Sequence, residues 1–203
     1  MIVTEISSID SKKRRIRLDS GYAFPLYLSE VRRYKITENA ELDEEQYSEI
    51  HSMLITRVKN RILFLLGDSD KSTYAVRSKI KSAGYPDDII DCAIESLTEY
   101  GYLDDERFTR NYIESMRDCH GKSRREIINI LRSKGISSDL IETVISEFDF
   151  DEYFLAVKAL RKKHIDVNMI EQLDLKSRSS LYNFLIRKGF DRSVCNKIFN
   201  NSF

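Results

Sequence analysis

The sequence predicts a mainly α-helical protein: three tandem three-helix repeat modules behind a small N-terminal β-hairpin region. Three observations carry that prediction. The 203 residues include only two prolines and seven glycines, and Leu, Ile, Lys, Glu and Arg abound, which favours helices over a β-sandwich. A pattern of apolar residues around a glycine recurs about every fifty residues. Strand and turn signals are confined to roughly the first 36 residues. The expected division is 1–38 for the hairpin region, then 39–103, 104–149 and 150–203 for the three modules.

The hairpin signal lies in Arg14–Leu18 and Ala23–Leu28, separated by Asp19-Ser20-Gly21, residues that tolerate the positive φ angles of a tight turn. Ile2–Ile6 is a candidate for a further strand. Pro25 lacks a ladder donor, which places its strand at an edge. The run Lys12-Lys13-Arg14-Arg15 with Arg17 reads as a solvated face, with phosphate contact as the alternative.

Asp43 and Gln46 have the spacing of a capping box, and Ile50, Met53, Leu54, Val58, Ile62 and Leu65 follow at helical intervals. Gly67 is expected to stop that helix. Its acidic beginning suits a helix N-terminus.

The repeat becomes visible when Gly84, Gly135 and Gly189 are set in register. Ile80, Leu131 and Leu185 then align before the glycines; Ile89, Leu140 and Val194 align after them, as do Ala93, Val144 and Ile198, and Ile94, Ile145 and Phe199. The residue following each glycine is Tyr85, Ile136 or Phe190, the apolar contact that a left-handed helix stop requires. Each module has an earlier helix: the one through Leu65, then Glu106–Asp118, then Asp151–Lys163. Ser123 and Glu126 form a capping box before the middle helix of the second module, and Asp104 or Asp105 caps the helix before it.

Catalysis finds little support. Asp104 and Asp105 are placed as helix caps rather than as an acid/base pair, and His51, His120 and His164 lack a nucleophile or carboxylate constellation. No Gly-rich phosphate loop, His-Glu-x-x-His or Gly-x-Ser-x-Gly is present. Cys92, Cys119 and Cys195 are odd in number and widely spaced, which fits reduced, buried or half-buried thiols and neither disulfides nor zinc. The expectation is a non-enzyme without cofactor or metal, monomeric and cytoplasmic, because neither a signal peptide nor a membrane-length apolar run is seen.

The formal net charge is +0, so local distribution must decide on partners. Cations recur on the same helix of each module. The first offers Arg77 and Lys81, flanked by Lys71 and Lys79; the second offers Arg125 and Arg132 on one face with Asn129, beside Lys122, Arg124 and Lys134. The third offers Arg178, Arg187 and Lys188. Docking to a polyanion or a protein explains the recurrence, and so does the ordinary preference of Lys and Arg for helix surfaces. Tyr100, Tyr102, Phe108 and Tyr112 could stack on bases, but their helical spacing favours packing between modules.

Gly101-Tyr102-Leu103-Asp104-Asp105-Glu106-Arg107-Phe108 with Tyr112, then Gly121-Lys122-Ser123-Arg124-Arg125-Glu126-Ile127 with Leu131 and Lys134-Gly135-Ile136, resembles the central signature of the RecX family, bacterial regulators of RecA. Lys71 through Ile80 is similar to that family's first-module motif. The resemblance implies a curved, elongated stack of modules lying in the helical groove of a RecA–single-stranded DNA filament. It implies inhibition of strand exchange, ATP hydrolysis and coprotease activity, and hence a place in homologous recombination, DNA repair and the SOS response. The RecA nucleoprotein filament would be the partner, with single- and double-stranded DNA contacts secondary. A helix-turn-helix-like duplex-DNA binder and a helical scaffold without nucleic-acid contact are the competing readings.

Overall fold

The computed structural model describes residues 1–200, with Asn200 described by its backbone alone; the last three residues of the expected third module lie outside the described residues. The chain forms two compact units that meet in sequence at Asp104 and Asp105.

The first unit opens with β1 (Val3–Ser8), β2 (Lys13–Leu18) and β3 (Ala23–Tyr27), an antiparallel sheet in that order. Alternation along β2 sends Ile16 and Leu18 into the core at 0% and 1% exposure, and leaves Arg15 and Arg17 outside. Ile16 pairs with Phe24, and Pro25 sits on the edge strand β3 opposite Arg15. Gly21 makes the turn between them at a φ of 81°. A six-residue helix, α1 (Leu28–Arg33), follows without interruption, with the Tyr27 N–H donating to the Glu30 carboxylate at 2.8 Å. Sequence periodicity gave no sign of so short a helix.

The chain then runs back beside β1. The Val3 N–H donates to the Ala40 carbonyl at 2.9 Å, and the Asn39 N–H donates to the Val3 carbonyl at 2.8 Å. α2 (Glu44–Asp68) begins at Asp43, whose carboxylate accepts from the Gln46 N–H at 2.7 Å. It buries Ile50, Leu54, Val58 and Ile62 at the expected helical spacing. Gly67 does not stop it. The helix runs on through Asp68, Gly67 stays out of the left-handed region, and extended Ser69 ends the turn. α3 (Thr73–Lys81) is capped by Ser72, and α4 (Asp87–Glu99) follows Gly84. The sheet and α2–α4 share one hydrophobic core, so the spans 1–38 and 39–103 are packed on each other.

The second unit contains α5 (Asp105–Glu114), a π-helical turn (Ser115–Cys119), α6 (Arg124–Ser133) and α7 (Ser138–Ser146). Next come α8 (Glu152–Arg161), a 3-10 turn (Val167–Gln172), α9 (Leu175–Arg187) and α10 (Arg192–Asn200). Two apolar clusters sit inside it. One gathers Phe108, Ile113, Ile127, Leu131, Ile136 and Ile141 with their neighbours; the other gathers Leu155, Leu160, Ile170, Leu185, Phe190 and Ile198 with theirs. The helix expected over Glu106–Asp118 changes character at Ser115, where the backbone widens into the π turn.

The three aligned glycines behave alike. Gly84, Gly135 and Gly189 have φ of 87°, 79° and 86°, and the following Tyr85, Ile136 and Phe190 are buried. At two of them the hydrogen bonds are those of a Schellman stop: Ile136 N–H to the Leu131 carbonyl at 3.1 Å, and Phe190 N–H to the Leu185 carbonyl at 3.1 Å. The aligned Ile80, Leu131 and Leu185 are each 0% exposed.

Candidate partner-binding surface

The surface begins with the start of α6. Ser123 is fully buried, and its hydroxyl works twice: it accepts from the Glu126 N–H at 3.1 Å and donates to the Lys188 carbonyl at 2.7 Å. The reciprocal half of the expected capping box is absent. Glu126 turns its carboxylate instead to Lys122 at 2.6 Å and Lys188 at 3.0 Å. Burial pushes the Glu126 carboxyl up, but hydrogen bonds from the two ammonium groups outweigh it and hold the group below the ordinary glutamate range. Ion pairing thus outcompeted the backbone for this side chain.

Gly189 completes the junction. A Cβ there would stand 2.9 Å from the Ser123 Oγ and 3.1 Å from the Arg125 Cβ, so only glycine allows the α9–α10 turn to approach α6 this closely. A second tie holds the π turn. Lys158 donates to the Asp118 carbonyl, and Lys162 donates to the carbonyls of Cys119 at 3.1 Å and His120 at 3.0 Å. These lysines answer backbone groups that a widened turn leaves unpaired. Nothing in their own sequence spacing marks them, because the acceptors lie some forty residues away.

With its start fixed, α6 presents Arg124, Arg125, Asn129 and Arg132 as exposed side chains. They form one wall of an open groove of about 660 Å³. The floor is apolar, from Ile128, Phe148 and Phe150; Asp149, Glu152 and Asp191 also line it. No ion pair or side-chain hydrogen bond engages Arg124, Arg125 or Arg132 among the described residues. The Arg124 backbone N–H donates to Glu152 Oε1 at 2.8 Å, leaving Oε2 buried without a partner among the described residues. Burial raises the Glu152 carboxyl above its ordinary value; the Arg124 bond offsets part of that, and Asp191 adds to it.

The other cations singled out in the sequence are placed differently. Lys122 and Lys188 are spent on Glu126. Lys134 lies over the rings of Phe108 and Tyr112, 6.0 and 5.2 Å from their centroids. Those two rings stack on each other along α5 rather than between modules, and Tyr100 and Tyr102, expected to pack with them, are exposed. Arg178 donates to the Phe199 carbonyl at 3.0 Å. Arg187 is exposed without an ion pair among the described residues. In the first unit Arg77 is bound to Asp91, Lys81 pairs with Asp87 at 2.9 Å, Lys71 donates to Ser69, and Lys79 is exposed. The sequence-predicted set is therefore brought together without internal partners among the described residues at Arg124, Arg125 and Arg132, while Arg187 and Lys188 line an adjoining groove beside Arg125 and Lys122 meets Lys188 on Glu126.

One histidine has more company than its sequence neighbours suggest. His51 Nε2 lies 3.1 Å from Asp88 Oδ2, and the Tyr22 hydroxyl donates to the same carboxylate at 2.7 Å. Burial, with Asp88 beside it, pushes the Tyr22 hydroxyl far above its ordinary range. The cluster ties the β2–β3 turn to α2 and α4. Cys92 and Cys119 are exposed rather than half-buried, because they fall on outward faces, and Cys195 is buried. Among the described residues, no group of three or more His, Cys, Asp or Glu could hold a metal ion, and no helix is long and apolar enough to cross a membrane.

A family model described as "RecX, second three-helix domain" matches residues 104–145, the span that carries α5 to α7. The chain is similar to "Regulatory protein RecX" of Bacillus subtilis (strain 168), with 30% identity over 95% of this chain and 74% of that relative. It is similar also to "Regulatory protein RecX" of Clostridium perfringens (strain SM101 / Type A), with 29% identity over 96% of this chain and 94% of that relative. Among solved structures, "Crystal structure of regulatory protein RecX" superposes with a TM-score of 0.64 at 22% identity, covering 98% of both chains, which shows the shared fold. By its sequence relatives and its architecture together, the chain belongs to the RecX family of regulatory proteins.

Proposed function

We propose that this chain regulates the RecA recombinase, as an inhibitor that lies in the groove of the RecA–single-stranded DNA filament. Family membership supports a regulatory role. The observation that carries docking is the α6 wall: three arginines, held at a tied junction, with no internal partner among the described residues. Guanidinium groups suit carboxylate recognition because their planar fork gives two parallel hydrogen bonds.

The groove's mixed sign favours protein contact over DNA contact there. Asp149, Glu152 and Asp191 would repel a continuous phosphate chain, whereas a protein segment can set acidic groups against the arginines and apolar ones on Phe148 and Phe150. A filament repeats one protomer surface, and a chain divided into modules at 39–103, 104–149 and 150–203 would meet it with repeated surfaces. The duplex-reading alternative is disfavoured by the exposed faces of α4 and α7, which carry Asp91, Glu95 and Glu99, and Asp139 and Glu142.

The test is RecA ATP hydrolysis and strand exchange on single-stranded DNA. Substoichiometric protein is expected to slow both, and no effect at a several-fold excess would overturn the reading.

A further inference from the structure

The outward face of β2 is a second cationic surface, built on a different plan. Lys13, Arg15 and Arg17 alternate with buried Ile16 and Leu18, and their cross-strand partners Tyr27, Pro25 and Ala23 share their side of the sheet. Alternate residues on a strand are about 6.6 Å apart. That is close to the step between successive phosphates of an extended nucleic-acid strand, so a row of three such cations can follow a phosphate chain.

The row is continued by the turn between α3 and α4. Arg15, Arg17, Lys81 and Gly84 line one shallow groove of about 350 Å³, with Asp87 as its one acid among the described residues. The Arg15 guanidinium has no ion pair among the described residues, and its Nη2 would lie 3.5 Å from a Cβ at Gly84, so it extends across the glycine. The acids nearby are already matched. Asp87 takes Lys81 at 2.9 Å and also faces Arg77; Glu5 takes Arg17 at 3.2 Å, in a pair half exposed on both sides that a phosphate can displace. At the far end of the row Tyr27 is 37% exposed, with Lys13 Nζ 5.2 Å and the Arg57 guanidinium 4.8 Å from its ring centroid.

We propose that this face of the N-terminal sheet binds the phosphate backbone of single-stranded nucleic acid, with Lys13, Arg15 and Arg17 on successive phosphates and Tyr27 as a platform for one base. A linear row argues against a lone phosphate, which wants converging donors. A lipid surface wants several apolar anchors among the cations, and of the cross-strand neighbours here only Tyr27 is exposed, beside buried Pro25 and small Ala23. The inference does not rest on the RecA reading, because it needs no RecA to be tested.

Binding is measured by fluorescence anisotropy with a fluorescein-labelled oligothymidylate of about twenty nucleotides, long enough for one binding surface. Salt is varied from about 50 to 300 mM. Arg15→Gln/Arg17→Gln should weaken binding at low salt and flatten the plot of log K against log salt by about 1.4, two contacts at roughly 0.7 each. Arg15→Lys/Arg17→Lys, which keeps the charges, should retain most of the slope and also shows whether position rather than misfolding is at issue. Arg192→Gln/Lys197→Gln, which removes two cations from exposed positions of α10, should leave the slope unchanged. An unchanged slope in the first variant, an equal loss in the α10 variant, or binding of anionic phosphatidylserine vesicles in place of the oligonucleotide would each overturn the assignment.

Discussion

The α6 groove and the β2 face are both cationic, yet they are organised by opposite rules. On α6 the arginines share their groove with three carboxylates and two phenylalanines, and their placement depends on distant residues: Ser123 on the Lys188 carbonyl, and Gly189 against Ser123. On β2 the cations are placed by strand alternation alone, and the two acids beside them, Glu5 and Asp87, are paired with Arg17 and with Lys81 of the same surface. A mixed surface discriminates among protein partners; a uniform row follows a polymer and ignores sequence. Counting Lys and Arg would treat the two as equivalent. Their surroundings separate them.

Breaking the support of one surface while sparing the other gives the largest expected effect. Gly189→Ala must shift the α9–α10 turn away from Ser123 and hold alanine at a φ of 86°. It should cost about 2–3 kcal/mol, read as a lower urea midpoint, with RecA inhibition lost before oligonucleotide binding. A wild-type midpoint would mean that the turn yields freely. Leu131→Ala, a fully buried site, should cost about 2–5 kcal/mol in the same measurement.

Next in size is removal of the α6 arginines themselves. Arg125→Glu/Arg132→Glu should reduce inhibition of RecA ATP hydrolysis about tenfold or more, as reversed charge at a docking surface costs roughly 1.4 kcal/mol or above. Circular dichroism should stay unchanged, because both side chains are exposed. Full inhibition by this variant would remove the groove from the docking site. In the same assay Arg15→Gln/Arg17→Gln should keep nearly all of its inhibition at low salt, which separates the two surfaces functionally.

The smallest effect is on pH dependence, where two glutamates of one junction pull oppositely. Glu126 is held below its ordinary value, so its contribution is present above the usual glutamate range and lost as pH falls through the folded value. Glu152 is raised, so its contribution is complete below the usual range and lost as pH rises through the folded value. Urea midpoints from acid to neutral pH should therefore lose their acid-side slope in Glu126→Gln and gain relative stability at neutral pH in Glu152→Gln. Identical profiles for both variants would contradict the opposed shifts.

What was legible in the sequence follows from how far each cause reaches along the chain. Gly84, Gly135 and Gly189, most of the apolar positions aligned on them and the turn at Gly21 act within a few residues and stand where their spacing predicts. Leu140 and Val194 are only half-buried, and the next residues, Ile141 and Cys195, fill the core instead. Gly67 misled because a glycine near a helix end is only permissive, and its backbone never enters the left-handed region. The face shared by Arg125, Asn129 and Arg132 was legible from helical periodicity. That Lys122 and Lys188 serve Glu126, or that Lys134 covers Phe108 and Tyr112, was not, because competition between backbone and side-chain partners is settled only after folding. His51 with Asp88 and Tyr22 was hidden for the same reason: three separate elements must pack before the group exists.

The sheet's two outer edges carry a further consequence. Residues 39–42 of the same chain pair with Met1–Val3 at the start of the β1 edge, and β3 is five residues long with Pro25 at its centre. A proline has no N–H to give a neighbouring strand, so the short β3 edge is a poor template for strand addition from another copy, and the start of the β1 edge is already taken. On the proposed reading, copies bound along one polymer would meet one another at high local concentration. Here the cation proposed to meet that polymer, Arg15, and the proline that guards the edge, Pro25, are cross-strand partners in the same short sheet.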